Sequence, residues 1–172
     1  MANGSRREPP LVNPVFGVTG WKNAGKTTLT ERLVAEFVRR GWTVATVKHA
    51  HHAADIDHPG TDSFRHRAAG ATEVALVTAG RFAIVREQEE PSLAEVLARL
   101  APADLVLVEG FKTASHPKIE VRADEARPMA PADYNIVAIA SDRAGEGALP
   151  CFARDDIAGI ADFIAAHIAR DR

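Results

Sequence analysis

This chain of 172 residues has a single cysteine, Cys151. That excludes an internal disulfide and any metal cage built from several thiolates, and it suits a reducing cytoplasm. The chain also lacks an excess of either charge. Its 21 Lys and Arg stand against 23 Asp and Glu, a formal net charge of −2. Neither a nucleic-acid polymer nor an acidic membrane is therefore an expected partner. No apolar run approaches the roughly 20 residues that cross a bilayer. Arg6 and Arg7 are not followed by the apolar stretch of a signal peptide. What remains is ordinary for a globular chain, 46% hydrophobic and 26% charged, and long enough for one substantial core.

Pro9, Pro10 and Pro14, with little around them to pack, make residues 1–13 read as a flexible tail before one domain spanning 14–172. Within that domain β-like runs alternate with helical patterns, which predicts a parallel sheet covered by helices. Val15, Phe16, Gly17, Val18 and Thr19 form the first expected strand. A helix over 26–40 follows, with Leu29, Leu33 and Phe37 recurring every fourth residue and Gly41 stopping it. The β-branched run 43–48 is a second strand, and a short helix is expected over 62–69.

Residues 73–78 and 82–86 read as a hairpin turning at Ala79 and Gly80, and Ser92 with Glu95 has capping-box spacing for a helix to Leu100. The continuously apolar run 105–108 predicts a strand buried on both faces. Further strands are expected at 119–122 and 136–140. A last helix begins near Asp155, its stripe made by Ile157, Ile160, Ile164 and Ile168.

The most informative segment joins the first strand to the first helix. Gly20, Trp21, Lys22, Asn23, Ala24, Gly25, Lys26 and Thr27 spell Gly-x-x-x-x-Gly-Lys-Thr in a strand–loop–helix setting, the context a phosphate-binding loop requires. Gly20 and Gly25 permit a tight turn that aims backbone N–H groups inward, and the new helix adds its own N-terminal amides. Lys26 is expected to neutralise β- and γ-phosphate charge, Thr27 to ligate Mg²⁺, and Thr28 to reach the α-phosphate. Lys22 reads as a rim charge, with phosphate contact as the alternative. The fold class is thus a single P-loop NTPase domain of α/β type, a mostly parallel sheet with helices on both faces and an added β-hairpin.

Such a site needs an acid at the end of a buried strand to hold Mg²⁺ through water. Glu109 follows 105–108 at the C-terminal end, where open α/β sheets place ligands; Asp104, at the other end, is the poorer candidate. Asp142, just past strand 136–140, is placed to accept guanine N1–H and the 2-amino group, donors that adenine lacks there. The Asn-Lys that would brace such a residue is missing, and a turn-forming aspartate is the competing reading. Between 49 and 66 lie His49, His51, His52, His58 and His66, with Asp55, Asp57 and Asp62 nearby. A mobile switch or substrate loop is favoured there over a stored metal ion, with Asp55 and Asp57 as candidates for assisting Mg²⁺ or touching a partner.

Together with Val47-Lys48-His49-Ala50-His51-His52, Asp55-Ile56-Asp57, Pro59-Gly60-Thr61-Asp62-Ser63, Ala69-Gly70-Ala71, Val108-Glu109-Gly110-Phe111-Lys112 and Pro117-Lys118-Ile119-Glu120-Val121-Arg122, the phosphate loop resembles that of the molybdopterin-guanine dinucleotide biosynthesis protein B family across about residues 15–169. The resemblance implies a homodimeric GTP-binding protein with weak hydrolysis. It implies a partner too, the molybdenum cofactor guanylyltransferase that joins GMP to molybdopterin. Lys118, Glu120 and Arg122 fall in a family motif without an assigned role, and Ala53 stands where the family often has an acid. Slow turnover also fits the residues, since no glutamine or arginine finger announces itself. Two rivals stay open: a metallochaperone GTPase, for example for nickel, using His49, His51 and His52, and a small-molecule kinase.

Overall fold

The structure is a computed structural model that describes residues 13–50, 57–123, 127–129, 134–143 and 148–169. The chain divides into two compact units, one formed by residues 1–49 with 96–172 and the other by residues 50–95.

The larger unit is a six-stranded sheet. Its strands are β1 (Val15–Thr19), β2 (Val44–Lys48), β5 (Leu105–Glu109), β6 (Lys118–Val121), β7 (Ile136–Ala140) and β8 (Cys151–Phe152). Their order is β2-β5-β1-β6-β7-β8, and every neighbouring pair is parallel. β5 lies on one side of β1 and β6 on the other. The loop leaving β1 therefore opens at the point where the strand order reverses, the crevice in which such sheets bind ligands.

Alternation along each strand builds the core. Phe16 and Val18, Leu105 and Leu107, Ile119 and Val121, and Ala138 and Ala140 join one cluster. Against them pack Leu29, Leu33 and Phe37 of α1 (Lys26–Arg39), and Ile160, Ile164 and Ile168 of the last helix, α4 (Ile157–Ala169). The predicted isoleucine stripe is buried from Ile160 onward, and Phe16 meets Phe163 and His167 of α4 edge-on. As expected, β5 is buried along its whole length. α1 ends where Gly41 turns left-handed at φ 85° and donates its N–H to Val38.

The opposite strand positions are different in kind. Thr19, Lys118 and Glu120 are buried there beside the fully buried Val106 and Val108. Lys118 Nζ donates to the carbonyls of Ala114 and His116, and Glu120 accepts from Met129 N–H and Arg122. Burial lowers the Lys118 ammonium to about 8. Burial, helped by the Lys118 charge, lowers His116 to about 4.

The smaller unit holds α2 (Asp62–Ala68) and the antiparallel hairpin of β3 (Glu73–Val77) and β4 (Phe82–Arg86). Thr61 caps α2 by accepting from Phe64 N–H. The register puts Ala75, Val77, Phe82 and Ile84 on one face of the hairpin, all exposed, with the Glu73–Arg86 ion pair at its end. At residue 93 the predicted capping box forms, Ser92 and Glu95 exchanging hydrogen bonds. The helix it opens, α3 (Leu93–Leu97), is shorter than the expected run to Leu100. Its end tightens into i→i−3 bonds, Arg99 to Val96 and Leu100 to Leu97, before Pro102. The two-residue strand β8 was not foreseen; two residues behind Pro150 carry too little periodicity to be recognised.

Candidate functional site

The loop from Gly20 to Gly25 gets its shape from three left-handed residues, Gly20 (φ 147°), Asn23 (φ 61°) and Gly25 (φ 96°). A side chain at Gly20 would run into the carbonyl of Val121 in β6, so only glycine allows this approach. Ala24 is buried, and its N–H closes the turn onto the Trp21 carbonyl. Gly25 caps α1 without a side-chain bond, and its carbonyl accepts the helical bond from Leu29 N–H. The amides of Lys26, Thr27 and Thr28 are thus the first-turn donors that a helix cannot satisfy internally.

Lys26 Nζ donates to the Trp21 carbonyl at 2.7 Å, which folds the lysine back over its own loop. Burial lowers its ammonium below the ordinary lysine value; Glu109 raises it again, and Lys112 and Lys48 lower it further. Thr27 Oγ1 donates to Glu109 Oε1 at 3.0 Å. Lys48 Nζ stands 3.5 Å from that same oxygen and donates to Thr27 Oγ1 at 3.4 Å. Lys48 and Glu109 are register partners at the ends of β2 and β5. Lys22 is exposed on the rim.

Asp104 lies at the opposite end of β5, accepting from the N–H and hydroxyl of Thr43, each at 2.8 Å. Glu109, not Asp104, thus meets the glycine-rich loop. The turn after Glu109 is strained: Gly110 at φ 98° is followed by Phe111 at φ 44°. A left-handed phenylalanine costs about 1 kcal/mol. Here that conformation sets the ring on His49, centroids 4.5 Å apart and 23° from parallel. Lys112 then lies over the Trp21 ring, whose Nε1 donates to the Arg127 carbonyl.

Beside the loop runs a cleft of about 410 Å³ lined by Gly25, Thr28, Leu29, Arg32, Val121, Asp142, Arg154 and Asp155. The loop and Asp142 therefore share one cleft. The Asp142 carboxylate is already engaged, accepting from Arg154 Nε at 2.6 Å and Arg154 N–H at 3.1 Å, and these bonds hold its pKa below the usual carboxylate range. Arg154, Lys48 and Phe111 also shape the site; the sequence signals Lys48 and Phe111 only as members of family motifs, without a site role, and Arg154 not at all. The strand end that carries Lys48 was legible, whereas the contact from Arg154 back to Asp142 spans 12 residues and leaves no local pattern.

Asp55, His51 and His52 lie outside the described residues. Burial would raise the Asp57 pKa, but the bonds it accepts from Thr61, Ser63 and the His58 N–H, with the Arg67 charge, outweigh that and hold it below the usual carboxylate range. Asp57 thereby ties the start of α2. Among the described residues no three His, Cys, Asp or Glu side chains gather as a metal site, and no helix is long and apolar enough to cross a membrane.

Comparison with known proteins bears on the family and the fold. The family model described as molybdopterin guanine dinucleotide synthesis protein B matches residues 15–142. The Haemophilus influenzae molybdopterin-guanine dinucleotide biosynthesis adapter protein is 37% identical over 155 residues, covering 88% of this chain and 87% of its own. The Escherichia coli adapter protein of the same description is 35% identical over 159 residues, covering 88% and 91%. Among solved structures, a MobB homolog from Bacillus stearothermophilus superposes with a TM-score of 0.65 at 32% identity, covering 92% of this chain and 99% of that one. Bacillus subtilis MobB gives a TM-score of 0.71 at 27% identity, covering 89% and 96%. With the glycine-rich loop, the Glu109 turn and Asp142 all inside the matched span, the chain belongs to the molybdopterin-guanine dinucleotide synthesis protein B (MobB) family.

Proposed function

We propose that this protein is a GTP-binding adapter with slow GTPase activity that assists guanylation of molybdopterin. One observation carries the nucleotide part: a left-handed glycine loop runs into α1 at the strand-order reversal, with Thr27 bonded to Glu109 and Asp142 in the adjoining cleft. Helix amides and Lys26 suit a polyphosphate. Thr27 and Glu109 are hard oxygen donors that meet each other, a set that fits Mg²⁺; bound there, the cation would neutralise phosphate charge. On the base side Asp142 would accept guanine N–H groups, with Arg154 yielding or sharing the carboxylate. The adapter role in molybdopterin-guanine dinucleotide biosynthesis is supported by the names of the relatives; the cofactor guanylyltransferase is the partner that this reading proposes for it.

Isothermal titration of the protein with GTP and with ATP, each with Mg²⁺, tests the reading. GTP is expected to bind more tightly, and equal affinity would remove Asp142 from the base site. A pull-down with the guanylyltransferase, bound pterin and nucleotide being identified by mass spectrometry, tests the pathway.

The same reading includes a homodimer. An isolated two-stranded sheet is marginal in water, and here it exposes a continuous apolar face in which Phe82 is 75% and Val77 76% exposed. Two-fold pairing of identical hairpins would cover that face with a self-complementary surface. Light scattering of Phe82→Asp against the parent chain is expected to show a dimer turned monomer. A parent that is already monomeric at micromolar concentration would end this part of the proposal.

A further inference from the structure

The ammonium of Lys48 sits on the pair of oxygens that the nucleotide reading assigns to a cation. Its Nζ donates to Thr27 Oγ1 at 3.4 Å and stands 3.5 Å from Glu109 Oε1, while those two oxygens are 3.0 Å apart. The placement is built by the sheet, because Lys48 and Glu109 are register partners at the C-terminal ends of adjacent parallel strands. It is pinned further by His49, whose N–H donates to the Glu109 carbonyl at 2.8 Å and whose ring lies against Phe111. The left-handed turn at Gly110 and Phe111 closes that staple.

The fold has little need of this contact. Lys48 is exposed over 59% of its side chain, and ion pairs so exposed add little to stability. β2 is an edge strand, so the four-methylene stem can swing into solvent without disturbing the core. Glu109 is different, with a side chain only 11% exposed whose charge needs a nearby partner. The charges of Lys112 and Lys48 both act on Lys26 here, with Glu109 opposing them. A divalent cation placed beside Lys48 would be repelled by it, since like charges at such separations cost free energy at any effective dielectric.

Resting on the nucleotide reading, we propose that Lys48 is a built-in counter-cation of the site. It balances Glu109 and lends positive charge to a metal-free nucleotide, and it leaves when a divalent cation takes the two oxygens. Nucleotide binding is then partly independent of Mg²⁺, and Mg²⁺ binds against a standing competitor.

The test is GTP affinity of the full chain measured by titration in EDTA and across a MgCl₂ series, for the parent, Lys48→Met and Lys48→Arg. Melting temperature serves as a check on folding. Lys48→Met is expected to weaken binding in EDTA and to shift the Mg²⁺ midpoint about two- to fivefold lower, the range set by exposed ion pairs. Lys48→Arg, which keeps the charge, is expected to stay near the parent on both measures. Equal loss of affinity with and without Mg²⁺ in Lys48→Met would make Lys48 a plain phosphate contact and overturn the proposal. So would an unchanged midpoint, or identical behaviour of Met and Arg. Absence of GTP binding by the parent would remove the nucleotide reading itself and this inference with it.

Discussion

The two ends of strand β5 carry an acid each, and the two acids have different surroundings. At the start of the strand, Asp104 accepts both the backbone N–H and the hydroxyl of Thr43, a closed local bond set that ties β5 to the turn before β2. At the other end, Glu109 is held by a threonine from the glycine-rich loop and faced by a lysine from β2. The first end has the bond pattern of architecture. The second gathers side chains from three segments around a loop whose first-turn amides lack helical partners, the arrangement on which the proposed nucleotide site rests. Residue type does not distinguish these acids; strand polarity does.

Mutations at the two ends should therefore separate binding from stability. The largest expected effect is at the ligand end. Lys26→Ala should cost on the order of a hundredfold in GTP affinity, as loss of charge-assisted phosphate contacts implies, with an unchanged melting temperature. Titration calorimetry with Mg²⁺ and GTP reads it, and full affinity in a folded variant would erase the contrast between the ends. Asp142→Asn should reduce the preference for GTP over ATP by about ten- to a hundredfold while triphosphate binding persists; competition between the two nucleotides shows it.

The closed end should answer to pH instead. His116 enters β6 from that side, neither ring nitrogen has a hydrogen-bond partner among the described residues, and burial holds it at about 4 against the ordinary 6.5. Between those values the unfolded chain binds a proton that the folded chain refuses. Stability is thus complete above pH 6.5 and falls as pH drops toward 4, by about 3 kcal/mol for a fully buried ring and about 2 kcal/mol once solvent screening of this half-buried one is allowed for. His116→Leu should flatten that acid limb in urea melts taken across the range, and an unaltered limb would place the acid sensitivity elsewhere.

Two smaller effects complete the comparison. Glu109→Gln should raise the Mg²⁺ needed for binding by about tenfold, with a lesser change in affinity at saturating Mg²⁺. Asp104→Asn should cost about 1 kcal/mol of stability and leave the Mg²⁺ requirement alone, since it weakens one bonded acceptor far from the loop. If Asp104→Asn shifted Mg²⁺ dependence more than Glu109→Gln, the two ends would have to be exchanged.

Much of this was legible in the residues because the signals are local. The period of Leu29, Leu33 and Phe37 marks α1, the apolar run before Glu109 marks a strand buried on both faces, and Ser92 with Glu95 marks a helix start. Each follows from neighbours a few positions apart, where spacing alone determines which side chains share a face. Less legible were the short α3, which tightens before Pro102, and β8, whose two residues become a strand only by pairing with β7.

By itself the sequence determined the order of elements, the glycine-rich loop between β1 and α1, and the family, since these depend on residue type at fixed spacing. Tertiary structure alone decided which groups meet. Parallel pairing of β2 with β5 brought Lys48 to Glu109, separated by 61 positions in the chain. The approach of β6 to Gly20 made that glycine obligatory. The return of the chain to β8 laid Arg154 on Asp142 and so shaped the cleft in which a base would be read. Such contacts form only when strands distant in sequence are set side by side. Hydrogen-bond register in the sheet then specifies them, and no local periodicity records it.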